Sequence, residues 1–406
     1  MSFPEHILVI NIFFAPYSFG GATIVAEQVA QELVRTHGRR VTTISAMSRG
    51  DLTPYAVMKV EKDGIQNYLI NLPHGRSYAE MYTNPQVTEI VAGLLDDLQP
   101  DLVHAHCIQE IGAGILPMIK RRGVPLVLSV HDFWWLCERQ FMIRPNGRYC
   151  AQDPVRIEAC RGCVDNWPRA RLRQEILFAD AAQADLITFP SQFAHDLSVR
   201  SGFAGPRLAV WQNGVRGPSP AFFETQAKRR AKDDRLVFGF VGGPSPIKGW
   251  PMIRSAFAAL KRDDFGVIVV DGSLDGGWWR DQDLSALRGD WRVHPRFSQA
   301  DMDAFYAKID VLLFLSQWKE TFGLAIREAV ARGIRVLQTD SGGTTEWDGA
   351  DRSAMLQIGD GGEVLRKRID ALLEAGPDHP PPRSVTSSAE QANALLDLVA
   401  PFATDR

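Results

Sequence analysis

Lys319 to Glu346, KETFGLAIREAVARGIRVLQTDSGGTTE, is the stretch whose reading decides the fold. Glu320 and Glu328 stand eight residues apart, with Phe322, Leu324, Ile326, Ala329 and Val330 at helical spacing around them. Gly333 stops the segment. Ile334 to Leu337 then reads as a strand and Ser341-Gly342-Gly343 as a turn. This pattern places Glu320 just before a helix and Glu328 two turns inside it, both on one side. The N–H groups of Phe322, Gly323 and Leu324 would project from the helix N-terminus, which favours an anionic phosphate. A sugar phosphate at one end and a ribose at the other would suit such a site. The plainer alternative is an amphipathic helix with two solvated glutamates.

The whole chain sets bounds on that reading. Its 406 residues exceed one ordinary core and imply two domains. Hydrophobic residues make up 45% and charged residues 23%, as in globular proteins, and a net charge of −3 gives no general attraction to nucleic acid. No run is long and apolar enough for a membrane span, and MSFPEHILVINIFF reads as a first strand rather than a signal peptide. A cytoplasmic location is the expectation.

Strands and helices alternate from the start. His6 to Phe14 is an apolar strand, Pro16 to Gly21 a Gly-rich turn, and Ala22 to Thr36 a helix: an arrangement that lets backbone approach an anion, though also an ordinary βα connection. Asp101 to His106 reads as a strand ending in His106, and Pro125 to Val130 as one that delivers His131 and Asp132 at its carboxyl end. In open α/β sheets, ligands bind at that end. His104 is expected to pack within the sheet. Residues 133–167 form an insertion of little periodicity. Gly217 to Asp234, with Pro218, Pro220 and KRRAKDDR, reads as the linker to a second α/β series that starts at Leu236. There, Val241-Gly242-Gly243-Pro244-Ser245-Pro246-Ile247-Lys248-Gly249 follows the first strand, and one lysine in a Gly-rich loop fits a diphosphate. The expected division is a first domain over residues 1–216, a second over 235–385, and a final helix, 386–406, returning to the first domain.

Taken together, Gly20-Gly21, Ser129-Val130-His131-Asp132, Gln212-Asn213-Gly214-Val215, Gly242-Gly243 with Lys248-Gly249, Glu320-Thr321-Phe322-Gly323 with Glu328, and Gly342-Gly343 with Glu346 resemble the retaining glycosyltransferases of family 4. The resemblance covers nearly the whole chain. It implies the α/β GT-B fold, two Rossmann-like domains facing a cleft, with residues 1–216 binding the acceptor and 235–385 the nucleotide sugar. It also implies a nucleotide diphosphate sugar as donor and a glycan or lipid-linked acceptor, and surface polysaccharide or glycolipid synthesis without a catalytic metal. Glu320 would touch the donor sugar, Glu328 the ribose, and His131 the sugar from across the cleft. Lys248 and the N–H groups at Gly21 and Phe322 to Leu324 would hold the diphosphate, with Gly20, Gly243 and Thr321 lining the donor site and His106 and Asp132 on the acceptor side. An arginine commonly follows the first glycine of the lysine loop in this family. Here Gly243 stands in its place, so the clamp either loses a charge or takes another cation, for which Arg296 and Arg327 are the candidates. A non-catalytic nucleotide-sugar or partner-binding protein is the rival reading.

Four of the five cysteines, Cys137, Cys150, Cys160 and Cys163, follow a C-x12-C-x9-C-x2-C pattern that could bind structural zinc, an iron–sulfur cluster being the rarer choice and plain thiols the other. Phe133, Trp134 and Trp135 could stack on a sugar or pack against the cluster, packing being the commoner fate of aromatics. Arg169, Arg171 and Arg173, with Lys120, Arg121 and Arg122, could form a basic face for peripheral membrane contact; a solvated charged surface is the plainer alternative.

Overall fold

Short apolar runs such as HILVI and VLLF are buried almost end to end, the pattern of strands covered on both faces. They organise two α/β units in a computed structural model that describes residues 3–273 and 275–402. One unit comprises residues 1–142, 151–214 and 386–406, and the other residues 143–150 and 215–385.

In chain order the first unit contains β1 (His6–Ile10), α1 (Gly21–Arg35), β2 (Arg40–Met47), β3 (Val57–Lys62), β4 (Ile65–Asn71), α2 (Pro85–Leu98), β5 (Leu102–Ala105), α3 (Ile115–Arg121), β6 (Leu126–Ser129), α4 (Trp167–Ala181), β7 (Leu186–Phe189), α5 (Gln192–Arg200) and β8 (Leu208–Val210). The sheet runs β3-β4-β2-β1-β5-β6-β7-β8, parallel except for β3, which pairs antiparallel with β4. That hairpin is absent from the sequence reading, since VMKVEK is mostly exposed and lacks an apolar run. The strand order reverses between β1 and β5, so a ligand crevice is expected at their carboxyl ends.

The second unit contains α6 (Phe222–Lys232), β9 (Val237–Phe240), α7 (Trp250–Ala258), β10 (Gly266–Val270), β11 (Asp290–His294), α8 (Met302–Tyr306), β12 (Val311–Phe314), α9 (Leu324–Val330), β13 (Arg335–Gln338) and α10 (Gly362–Ala375). Its sheet, β11-β10-β9-β12-β13, is wholly parallel, with the reversal between β9 and β12. The stretch read as a linker is in part a helix: Phe222 of α6 is buried beside Tyr306, and Arg229 and Arg230 both pair with the buried Asp310.

The last helix, α11 (Ser388–Val399), belongs to the first unit. Ser387 and Glu390 form a capping box, and Ala392, Leu395, Leu396 and Val399 bury against Val29, Leu33 and Trp211. The Asn213-Gly214 turn is the seat for this helix. Gly214 N–H donates to Gln391 Oε1 at 2.7 Å, Trp211 Nε1 donates to Gln391 O, and a Cβ on Gly214 would lie 2.4 Å from Ser387 O.

Candidate functional site

At the carboxyl ends of β9 and β12, the second unit brings the lysine loop and the two-glutamate stretch together. Lys248 ends a 3-10 turn, and its Nζ donates to Glu320 Oε1 at 2.8 Å. Ser316 Oγ, just beyond β12, donates to the same oxygen. Glu320 is not a helical residue. Its N–H donates to Ser341 O and its carbonyl accepts from Gly343 N, stitching it beside the Gly342-Gly343 turn. Gly323 caps α9 at a φ of 86°, where a Cβ would press within 2.9 Å of Thr344 Cγ2, so glycine is required there. Because α9 begins only at Leu324, Glu328 lies one turn into the helix rather than two. It is not solvated either: Tyr306 Oη donates to Glu328 Oε2 at 2.8 Å, and burial raises its carboxyl pKa against the pull of that bond and of Arg332. Phe322 is buried, and Thr321 and Leu324 are half-buried beside it.

Arg327 does not replace the missing diphosphate arginine. It is 3% exposed, lies over the Phe322 ring, and donates to the carbonyls of Phe322, Gly343, Thr344 and Glu346. Burial pushes its guanidinium down to about 10, so it remains charged while fastening the Gly342-Gly343 turn to α9. Arg296 lies exposed after β11. What occupies the place beside Gly243 is Trp278. Gly243 has a φ of 67°, a Cβ there would meet the indole at 2.6 Å, and one on Gly272 would meet it at 2.7 Å. The neighbouring Trp279 anchors this arrangement inside an aromatic cluster with Phe240 and Trp250, its Nε1 donating to Val270 O. Two glycines separated by almost thirty residues are thus explained by one ring, which no local pattern in the sequence reveals.

In the first unit, Gly20 (φ 84°) caps α1, with Gly21 its first residue. The buried Asn11 side chain ties the end of β1 to Thr23 of α1 and accepts from Cys107 N–H beyond β5. His104 is fully buried in β5. His106, expected on the acceptor side, is buried as well (1% exposed) and reaches His131 instead, Nδ1 to Nε2 at 2.9 Å. Asp132 also turns inward. Its carboxylate accepts from Trp134 N, Gln109 Nε2 and Gln140 Nε2, which fixes the root of the insertion.

The root of the insertion is held by aromatic packing. Phe133, Trp134 and Trp135 are buried, and Arg173 lies over Trp134 while donating to its carbonyl. Among the described residues no group of three His, Cys, Asp or Glu side chains is placed as metal ligands, although Cys137 stands close enough to Cys160 and Cys163 for their charges to bear on its thiol. Burial pushes the Cys137 thiol up to about 11, and Cys160 Sγ donates to Arg156 O. The expected basic face is depleted too: Arg173 is interior, Arg171 pairs with Glu175, Lys120 with Asp185 and Arg122 with Asp96. No helix among the described residues is long and apolar enough to cross a membrane.

This architecture, two parallel α/β units with glycine turns at their strand ends, is that of a GT-B glycosyltransferase. The signature described as "Glycosyltransferase Family 4" matches residues 19–216 and that of "Glycosyl transferases group 1" matches residues 222–380. The chain belongs to the family 4 glycosyltransferases. It is similar to an uncharacterized 42.6 kDa protein in the cps region of Klebsiella pneumoniae, 22% identical over 84% of this chain and 87% of that one. It is 24% identical to the D-inositol 3-phosphate glycosyltransferase of Nocardiopsis dassonvillei, covering 84% and 80%. HepE of Anabaena, solved in complex with UDP-glucose, shares the fold with a TM-score of 0.59 at 17% identity, covering 97% of this chain and 94% of that one.

Proposed function

We propose that this glycosyltransferase transfers a sugar, with retention and without a catalytic metal, from a nucleoside diphosphate sugar to a glycan or lipid-linked acceptor in the assembly of a surface polysaccharide. The observation that carries the reading is the Lys248–Glu320 pair, set between the Gly242-Gly243 loop and the Gly342-Gly343 turn at a strand-order reversal. The cps-region relative supports the polysaccharide setting.

In the resting protein the ammonium and the carboxylate neutralise each other. A diphosphate gives Lys248 a more highly charged partner, leaving Glu320 to accept from donor-sugar hydroxyls. Glu328 takes the ribose hydroxyls and His131 serves the transferred sugar. The bond from the anomeric carbon to the β-phosphate oxygen breaks, and a bond to the acceptor oxygen forms on the same face. The acceptor proton passes to the departing phosphate. Lys248 stabilises the charge that grows on that phosphate, a term larger in the transition state than in the ground state. Trp278 beside Gly243 leaves this clamp with one lysine and an aromatic wall in place of two cations.

The test is a thermal-shift screen of UDP-, GDP-, ADP- and dTDP-sugars. Turnover of the stabilising donor is then followed with and without chelator, and the anomeric configuration of the product is read by NMR. Retention without loss to chelator is expected. Tight nucleotide binding with no turnover of any donor would favour the non-catalytic reading.

A further inference from the structure

Three histidines of the first unit form a stack of which the donor-site reading uses one end. His104 and His106 are two apart in the β5 segment and so share a face, with ring centroids 4.0 Å apart. The His106 and His131 rings are near parallel at 5.2 Å. His104 Nε2 lies 2.8 Å from Ser129 Oγ, which is 2.7 Å from Thr188 Oγ1. Trp211 covers the side of the stack. Two nitrogens, His104 Nδ1 and His106 Nε2, are buried without a hydrogen-bond partner among the described residues.

Burial keeps the stack neutral. It pushes His104 down to about 3, His131 to about 4 and His106 well below its ordinary value, with neighbouring imidazoles adding to the effect at His104 and His106. A neutral imidazole carries one N–H and one lone pair. A buried N–H with no acceptor is rarer than a buried acceptor with no donor. The unpartnered Nε2 of His106 is therefore the lone pair, and its proton sits on Nδ1.

We propose that His106 is a positioning residue whose Nδ1–H donates to His131 Nε2, holding the His131 ring and placing the His131 proton on Nδ1. The same rule puts the His104 proton on Nε2, donated to Ser129 Oγ, which also shares a hydrogen bond with Thr188 Oγ1. With Nε2 engaged as acceptor, any hydrogen bond His131 makes through Nδ1 is one it donates. Toward a sugar hydroxyl it acts as a neutral donor, not a base. This last consequence rests on the assignment of His131 to the donor sugar, whereas the tautomer does not.

The test uses protein labelled with 15N-histidine. Two-bond 1H–15N correlations at neutral pH, with the His131 signals identified by their loss in His131→Ala, should show His131 protonated on Nδ1 alone. A proton on Nε2 of His131 would overturn the proposal. His106→Leu should give a mixture of His131 tautomers and lower donor turnover by up to about a hundredfold. His106→Asn, whose amide nitrogen takes the place of Nδ1, should restore both. Wild-type turnover maintained in His106→Leu would also overturn the positioning role. A wild-type protein that turns over no donor would instead overturn the transferase reading, with the tautomer still decided by the spectra.

Discussion

The histidine stack of the first unit and the Lys248–Glu320 pair of the second are both polar clusters at the carboxyl ends of parallel strands, built on opposite electrostatic terms. The stack is neutral and can be sealed off, with His104 at 0% and His106 at 1% exposure, because no ion has to be desolvated. The pair is charged and stays reachable, its side chains 32% and 12% exposed. Two deeply buried cations of the second unit, Arg327 and Arg332, serve structure: Arg332 reaches Asp303 and the carbonyls of Arg216, Gly217 and Glu328. The contrast teaches where an anion is expected. The second unit keeps an accessible cation opposite a carboxylate it can release, and the first unit offers oriented neutral donors.

The largest effect that could break this contrast is at Arg327. Arg327→Leu strands four carbonyls and should destabilise the second unit by about 3–5 kcal/mol, leaving the unfolding of the first unit in place. Denaturant unfolding followed with a probe in each unit checks this, and an unchanged midpoint in the second unit would refute the fastening role. Next, Lys248→Ala should lower turnover by about 10²–10³-fold, and near-normal rates would remove the single-cation clamp. Glu328→Ala should weaken nucleoside diphosphate binding by about 1.5–3 kcal/mol in calorimetry, and unchanged affinity would count against the ribose role.

The smallest effect sharpens the neutral side. His104 has a folded pKa of about 3 against 6.5 for the free side chain. Because the folded value is depressed for a base, the unfolded chain binds the extra proton. The stability this group supports is complete above pH 6.5 and falls as the pH drops toward 3. The slope is about 1.4 kcal/mol per pH unit. His104→Gln keeps an N–H where Nε2 stood and removes the titration. Unfolding compared at pH 7 and pH 5 should therefore show a shallower pH dependence in the variant. Equal slopes would mean that His104 is not held neutral.

Much of this was legible in the chain. Strands covered on both faces must be apolar runs, so β1, β6, β9 and β12 declare themselves, whereas exposed edge strands such as β3 and β11 do not. Helix α6 hid behind two prolines and a charged run because it buries little more than Phe222 and Gln226. The cysteine spacing decides little by itself, because spacing along a chain stands in poorly for distance, and no group of three His, Cys, Asp or Glu among the described residues is placed to hold a metal.

Periodicity and glycine placement were enough to define two α/β units, because they depend on local backbone preferences and on burial patterns that repeat with a strand or a helix. The order of the motifs carried the resemblance to the family, and that resemblance implied that the lysine loop and the two-glutamate stretch serve one donor. Which charges are free could not be read that way. Arg327 looks like a candidate for the diphosphate until four carbonyls close around it, and the partner of His106 is unknown until its ring meets His131. Gly243 looks like a lost cation until an indole from thirty-five residues away fills the space. Desolvation and hydrogen-bond partnership are set by residues distant in sequence, and folding alone brings those together.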